Sequence, residues 1–289
     1  GFGGRQSPED RGRGASTMWR GPLDKTDFVV RFAGEGGQGL LTSATAFAQA
    51  QTQVGYHSQT FATFPSQIIG GPTWMQARIS TSEILSRGDE LDVLVAFNEE
   101  AYKEHKADVR AGGVVIYNSE EFEMEDDGES LGMPFGRLAK STGNTRAANF
   151  VVMGALAQIV DIPLSIFEEF NQNKYTRGRP GDEKIVASNN MALSLGHEEA
   201  FKSGFALGRM APPLRPDYPQ ILINGNEAIC LGACAAGLQF YVGYPISPAS
   251  SILMWMQQHF VGPDRFAFQV SSEIEAITAI TGAAYAGVK

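Results

Sequence analysis

Phe28-Val29-Val30-Arg31-Phe32-Ala33 runs into Gly34-Glu35-Gly36-Gly37-Gln38-Gly39 and then into residues 40–54, a stretch rich in Ala, Leu and Thr. The first six residues form a β-rich run, the glycines supply a turn, and residues 40–54 have helical composition, so the segment is one strand-turn-helix unit. Outward from it, strands are predicted at residues 58–64, 74–80, 91–97 and 113–117, with helices at 99–110 and 149–159. Strands alternating with helices place the chain in the α/β class and predict a largely parallel sheet covered on both faces.

The 289 residues suffice for one large domain, or for one complete domain and part of another, and the pattern favours the second. Residues 1–24, rich in Gly, Arg, Ser and Pro and without periodicity, read as a flexible leader, with added residues ahead of Met18. Within it, Arg11-Gly12-Arg13-Gly14 is a solvated tail in preference to an RNA contact. Residues 25–205 form the first domain. Residues 206–220 form a linker, since Ala211 to Pro219 holds four prolines in nine residues. A second unit occupies 221–289, where Asn224-Gly225-Asn226 offers a cap for a helix from 227 to about 240. Its 69 residues fall short of the roughly 100 or more that an α/β domain uses, so the chain reads as the N-terminal part of a longer subunit.

A formal charge of −9 excludes ordinary nucleic-acid binding, which needs a basic patch to release counterions. Cys230 and Cys234 are the two cysteines, and no secretory leader or apolar run of about 18 residues occurs, which predicts a reducing, cytoplasmic setting without a membrane span. Two cysteines cannot build a four-cysteine iron–sulfur cluster, so any such cluster sits on a partner. At i and i+4 they read as small buried hydrophobes sharing a helix face rather than as metal ligands. The four histidines, His57, His105, His197 and His259, show no ligand spacing. No metal-binding residue is expected in this chain.

Gly34-x-Gly36-x-x-Gly39 satisfies the dinucleotide fingerprint, yet no acidic residue occurs between Gly36 and Ser82, where an NAD site needs one for the ribose. An NAD-linked dehydrogenase is therefore disfavoured. With Gly37 and Gln38 the loop instead resembles the γ domain of 2-oxoacid:ferredoxin oxidoreductases. Ile68-Ile69-Gly70-Gly71-Pro72-Thr73-Trp74-Met75-Gln76-Ala77-Arg78-Ile79-Ser80 is similar to that domain's second signature, with Ile69 where the family often has Arg. Two readings of the loop stay open. In one, backbone N–H groups of Gly34, Gly36, Gly37, Gln38 and Gly39 hold an anion such as a CoA phosphate. In the other, the glycines only allow close packing and Gln38 bonds the turn.

Farther on, Gly225-Asn226-Glu227-Ala228, Tyr244-Pro245-Ile246-Ser247-Pro248, and Glu273 followed by Gly282 and Ala286-Gly287 are similar to the α subunit of the same family. The resemblance covers residues 27–289 and implies a Rossmann-like γ domain followed by the start of a thiamine-diphosphate pyrimidine-binding α/β domain. In it Glu273 stands where a carboxylic acid donates to N1′ of the aminopyrimidine and stabilises the imino tautomer; burial would favour the protonated form. Glu275 is the rival, pointing about 200° away if the segment is helical. Ser247 stands where the family often has Thr, facing the substrate carboxylate or developing alkoxide, with a purely structural serine as the alternative. Tyr244, Pro245 and Ile246 form the cofactor-facing turn. Asn226 reads as a helix cap with Glu227 in the first turn, a direct cofactor contact being the alternative. The basic run 174–180 reads as a solvated face, though it could attract CoA phosphates or an acidic ferredoxin.

The resemblance thus implies oxidative decarboxylation of a 2-oxoacid to an acyl-CoA, with electrons passed to ferredoxin. It implies a β subunit in an (αβ)2 assembly that carries most of the thiamine diphosphate and Mg2+ site and the [4Fe-4S] cluster. 2-Oxoglutarate is the first substrate expected, and pyruvate or a branched-chain 2-oxoacid the second. A non-catalytic CoA- or nucleotide-binding module is the reading from a different class.

Overall fold

The computed structural model describes residues 25–36, 38–63, 71–125, 127–214 and 217–289. The predicted leader 1–24, Gly37, Phe64, the Ile68-Ile69-Gly70 part of the second signature and Arg215-Pro216 of the Pro-rich segment lie outside the described residues. The chain divides into two units, the first ending at Ile221 and the second running Leu222–Lys289.

Unit 1 is built on a six-stranded sheet of β1 (Asp27–Glu35), β2 (His57–Thr63), β3 (Pro72–Ser80), β4 (Leu91–Ala96), β5 (Val109–Asn118) and β6 (Ser130–Met133), in the order β2-β3-β1-β4-β5-β6. All six residues of β4 are buried. Because successive side chains point to opposite faces, both faces of the sheet are covered, as predicted. The sheet is mixed, however, not largely parallel: β1 with β4, β4 with β5 and β5 with β6 are parallel, whereas β3 runs antiparallel to both β1 and β2. The reason is connection length. Only residues 64–71 separate β2 from β3, too few for the crossover of a dozen or more residues that a parallel pair requires.

Helix α1 (Leu40–Val54) has the predicted bounds, set by Gly39 and Gly55, both in the left-handed region at φ 83° and 110°. Its buried face carries Phe47, which packs on Phe28 of β1, the ring centroids 6.0 Å apart. Helix α2 (Glu99–His105) is shorter than the predicted 99–110: its Asn98 cap accepts from the Ala101 N–H, a 3-10 turn takes Lys106–Asp108, and β5 already begins at Val109. Helices α3 (Phe135–Ser141), α5 (Leu164–Tyr175) and α6 (Asp182–Ser203) and strand β6 were not predicted, while α4 (Ala148–Ile159) was. Helices α4 and α6 approach at two glycines. A Cβ on Gly154 would lie 2.0 Å from the Leu193 carbonyl oxygen, and one on Gly196 would lie 1.9 Å from that of Val151. The start of the expected linker is part of this unit: the Leu207 N–H donates to the Ile159 carbonyl at 2.7 Å and the Ala211 N–H to that of Lys25 at 2.8 Å.

Unit 2 holds α7 (Gly225–Ala235), β7 (Phe240–Gly243), α8 (Ser250–His259), β8 (Phe266–Gln269) and α9 (Glu273–Tyr285). Strands β7 and β8 are parallel, with α8 as the connection between them. Cys230, Met256 and Phe260 form the buried cluster, so Cys230 serves as a small hydrophobe, and burial pushes its thiol pKa up. Helix α7 stops at Ala235 instead of reaching 240, since Gly237 at φ 81° turns the chain into β7. No helix among the described residues is long and apolar enough to cross a membrane.

Candidate functional site

Parallel strands send their outgoing turns to one edge, which collects the motifs of unit 2 there. The segment Tyr244-Pro245-Ile246-Ser247 leaves β7 and the segment Ser271-Ser272-Glu273 leaves β8. The two exits are adjacent, with Gly243 opposite Gln269 and the Val270 N–H donating to the Gly243 carbonyl at 3.0 Å. The third motif joins through Asn226, whose Nδ2 donates to the Pro248 carbonyl at 3.0 Å and to Ser251 Oγ at 2.7 Å. Asn226 is therefore not the cap that was expected. Asn224 caps α7, accepting from the Glu227 N–H at 3.0 Å while Glu227 Oε2 accepts from the Asn224 N–H at 2.9 Å, a closed capping box.

The two candidate carboxylates differ in what holds them. Glu275 Oε2 accepts from the Ser271 N–H at 2.8 Å and its own N–H donates to Ser272 Oγ at 3.2 Å, so it closes the start of α9. Glu273 opens the same helix, and its carboxylate has no hydrogen-bond partner among the described residues. Its side chain is exposed, so the burial expected for it is not provided within the described residues. Ser247, Pro245 and Ile246 are exposed and Tyr244 half-buried at the same edge.

In unit 1 the first glycine of the loop proves to be part of the strand, because Gly34 and Glu35 pair with Thr73 and Pro72 of β3. Gln38 Oε1 accepts from the Glu35 N–H at 2.8 Å, closing the turn. A Cβ on Gly34 would lie 2.4 Å from Gln38 Oε1, and one on Gly39 2.6 Å from Asn149 Oδ1, whereas one on Gly36 would meet none of the described residues within 4 Å. Gly34, Gln38 and Gly39 thus have structural work, and Gly36 is not crowded by any described residue. The second signature is structural as well. Gln76 Oε1 accepts from the buried Arg31 at 2.9 Å, and its amide donates to the Arg87 carbonyl at 2.6 Å. Arg78 forks onto the Asp27 carboxylate at 2.7 and 3.0 Å. Arg31 also bonds Asp108 and lies with Nη1 3.1 Å from His105 Nδ1; burial first, and the Arg31 charge second, push the His105 pKa down.

A cleft of about 550 Å³ opens between the loop ahead of α4 and the first half of α6, lined by Asn144, Arg146, Asn149, Tyr175, Lys184 and Ser188 among others. No motif pointed to it. Of the basic run 174–180, Lys174 and Tyr175 end α5, and Tyr175 alone lines the cleft. Asp182 Oδ2 accepts from the N–H groups of Arg177 and Arg179 at 2.6 and 3.0 Å, which orders the turn between α5 and α6.

Residues 29–199 match the family model for pyruvate ferredoxin/flavodoxin oxidoreductase. The chain belongs to that family. Residues 231–289 match the model for its thiamine-diphosphate-binding part, so this family member carries the γ-like domain followed by the start of the thiamine-binding region. It is 30% identical to the 2-oxoglutarate oxidoreductase subunit KorA of Mycobacterium tuberculosis over 90% of this chain and 45% of the relative. It is 31% identical to the ketoisovalerate oxidoreductase subunit VorA of Methanothermobacter marburgensis over 63% of this chain and 39% of the relative. Among solved structures, the 2-oxoglutarate:ferredoxin oxidoreductase of Magnetococcus marinus, determined with 2-oxoglutarate, coenzyme A and succinyl-CoA bound, superposes with TM-score 0.78 at 32% identity, covering 92% of this chain and 47% of that one. The γ subunit of a Geobacter sulfurreducens keto/oxoacid ferredoxin oxidoreductase shares the fold, with TM-score 0.52 at 23% identity over 62% of this chain and 99% of that subunit. The chain spans about half the length of the curated relatives it matches.

Proposed function

We propose that the chain is part of a thiamine-diphosphate-dependent 2-oxoacid:ferredoxin oxidoreductase that converts 2-oxoglutarate to its acyl-CoA, working in the cytoplasm with a β subunit in an (αβ)2 assembly. The observation that carries the proposal is the convergence of Asn226, the Tyr244–Ser247 turn and the free Glu273 carboxylate on one edge of β7 and β8. Thiamine diphosphate supplies, when bound, an acidic carbon that adds to the oxoacid carbonyl and allows CO2 to leave. Its aminopyrimidine fits this edge because Glu273 has a carboxyl free to donate to N1′, whereas Glu275 is engaged with Ser271. Donation requires the protonated acid, and the β subunit that covers the exposed edge supplies the burial that favours it. The Ser247 hydroxyl, also exposed there, donates to the carboxylate of the substrate or to the oxygen on which charge develops. Tyr244, Pro245 and Ile246 hold the turn against the pyrimidine, and Asn226 fixes that turn to α7.

Mg2+, the diphosphate contacts and the [4Fe-4S] cluster belong to the β subunit, and ferredoxin takes the electrons. CoA accepts the acyl group, and the glycine loop of Gly34, Gly36, Gly37, Gln38 and Gly39, where no described residue crowds Gly36, is the candidate for one of its phosphates. The exposed apolar residues Ile274, Ile277 and Ile280 on α9 support a covering surface there, from a longer subunit or from a partner. The name of the Mycobacterium tuberculosis relative supports 2-oxoglutarate; a branched-chain 2-oxoacid is the second reading, favoured by the ketoisovalerate relative. Anaerobic, CoA-dependent viologen reduction by the co-purified complex tests the proposal. Turnover is expected with 2-oxoglutarate over pyruvate and 2-oxoisovalerate. Preference for either of the others overturns the substrate, and no turnover from a complex with cofactor and clusters intact overturns the activity in favour of a binding module.

A further inference from the structure

Gly243, at the edge of β7 and β8 that gathers the motifs of unit 2, lacks the usual reason to be glycine. It ends β7, is buried, and does not have the positive φ that glycine alone adopts without strain. What excludes a side chain there is Tyr241, which precedes it on the same face of the strand. A Cβ on Gly243 would lie 2.7 Å from the Tyr241 hydroxyl oxygen and 3.2 Å from the ring carbons Cε1 and Cζ. The Tyr241 ring therefore lies along β7, its tip over the residue from which the Tyr244–Ser247 turn departs.

Both sides of this contact are held from behind. The body of Tyr241 packs on Cys230, Met256 and Phe260, the cluster that joins α7 to α8. Its hydroxyl has no hydrogen-bond partner among the described residues, so packing and not a bond sets where it stands. The Gly243 carbonyl accepts from the Val270 N–H at 3.0 Å, which fixes its other flank to the end of β8. Beyond Gly243 the turn closes on itself: the Ile246 N–H donates to the Tyr244 carbonyl at 2.9 Å, and the Ser250 N–H to the Ile246 carbonyl at 2.9 Å. Its far end is tied to α7 through Asn226. A short turn bonded internally and fixed at both ends has no slack, so a displacement at Gly243 is passed on to Ser247.

We propose that Tyr241 is a positioning residue for the 2-oxoacid reaction: its ring, wedged over Gly243, sets where the turn leaves β7 and so where the Ser247 hydroxyl stands against the substrate. Tyr241 acts through the Gly243 backbone and needs no contact with the reactants. That role depends on the activity proposed for the site, in which Ser247 faces the substrate.

Viologen reduction by the co-purified complex, with thiamine diphosphate binding and thermal unfolding followed on the same preparations, tests it. Tyr241→Leu keeps the core apolar but withdraws the ring tip. It is expected to lower kcat/KM for 2-oxoglutarate about tenfold in complexes that stay folded and bind thiamine diphosphate as tightly as the unaltered one. Tyr241→Phe, which keeps the ring against Gly243, is expected to recover that loss. Because Tyr241 acts through Ser247, Tyr241→Leu should cost no more than about twofold further in complexes already carrying Ser247→Ala. Full turnover in Tyr241→Leu, no recovery in Tyr241→Phe, losses that multiply with Ser247→Ala, or a loss matched by weakened thiamine diphosphate binding would each overturn the positioning role. Gly243→Ala decides the matter if Tyr241→Leu does not assemble, since it drives a Cβ against the hydroxyl. A loss relieved by adding Tyr241→Phe supports the wedge, and a loss left untouched overturns it. No turnover from the unaltered complex, or full activity in Ser247→Ala, would instead overturn the reading of the site itself and the role of Tyr241 with it.

Discussion

Strand β4 of unit 1 and helix α9 of unit 2 sit at opposite extremes of burial. Every residue of β4 is buried, whereas α9 has no buried residue and exposes Ile274, Ile277 and Ile280 at 77%, 61% and 45%. Unit 1 closes its own core: Phe47 lies within 6.0 Å of both Phe28 and Phe167, centroid to centroid, and the signature residues Gln76 and Arg78 hold β1. Unit 2 gathers its three motifs at one edge and leaves that edge open. A unit that satisfies its own groups behaves as a scaffold, and one that leaves a free carboxylate beside exposed isoleucines awaits a complementary surface.

The contrast breaks first at the α4–α6 contact. Gly196→Val drives a side chain into the Val151 backbone, which cannot yield as a flexible side chain would, and should cost about 3 kcal/mol or more in the stability of unit 1. Thermal unfolding followed by near-ultraviolet circular dichroism reads it, and a cost below about 1 kcal/mol would show that the helices are loosely packed.

A second test uses pH. His105 is held neutral by burial and by the neighbouring Arg31, so its folded pKa lies below the ordinary 6.5. A depressed histidine leaves stability whole above the unfolded value and removes it as pH falls through 6.5 towards the folded pKa, because the unfolded chain then binds the extra proton. Urea melts between about pH 7 and 5 should show unit 1 losing stability, with a shallower loss in His105→Gln. An unchanged slope would place the proton elsewhere.

The smallest effect belongs to unit 2. Ile277→Ser should change the stability of the chain on its own by less than about 0.5 kcal/mol, since Ile277 is exposed, yet lower the stability of a longer subunit that continues past 289 or weaken its co-purification with the β subunit, whichever covers α9. Stability and assembly both unaltered would show that nothing packs on α9.

Legibility in the sequence followed locality. Helix α1 was readable to its ends because glycines flank it on both sides. The direction of β3 was not, since hydrophobic pattern carries no information on strand polarity and only the short 64–71 connection encodes it. Helix α6 was missed because its buried stripe, Val186, Asn189, Leu193, Gly196 and Ala200, keeps a 3-4 spacing but includes Asn and Gly, which mask the apolar period. The sequence pointed to Asn226 as the cap ahead of a helix from 227, but the helix begins at Gly225 and its backbone geometry makes Asn224 the cap, freeing Asn226 to fasten the Pro-rich turn. The motifs of the candidate site in unit 2 were visible as residues, while their convergence came from the parallel pairing of β7 and β8. The cleft was invisible because its lining residues, such as Asn144, Tyr175 and Ser188, are far apart in sequence and are gathered only by the packing of α5, α6 and the loop ahead of α4.

The most direct test of the account is thiamine-dependent turnover of 2-oxoglutarate by the intact complex carrying Glu273→Gln, set beside Glu275→Gln. The account predicts that Glu273→Gln lowers kcat by roughly a hundredfold or more, as removal of a catalytic acid does, while Glu275→Gln stays within about threefold of the unaltered complex. Full activity in Glu273→Gln, or an equal loss in Glu275→Gln, would contradict it.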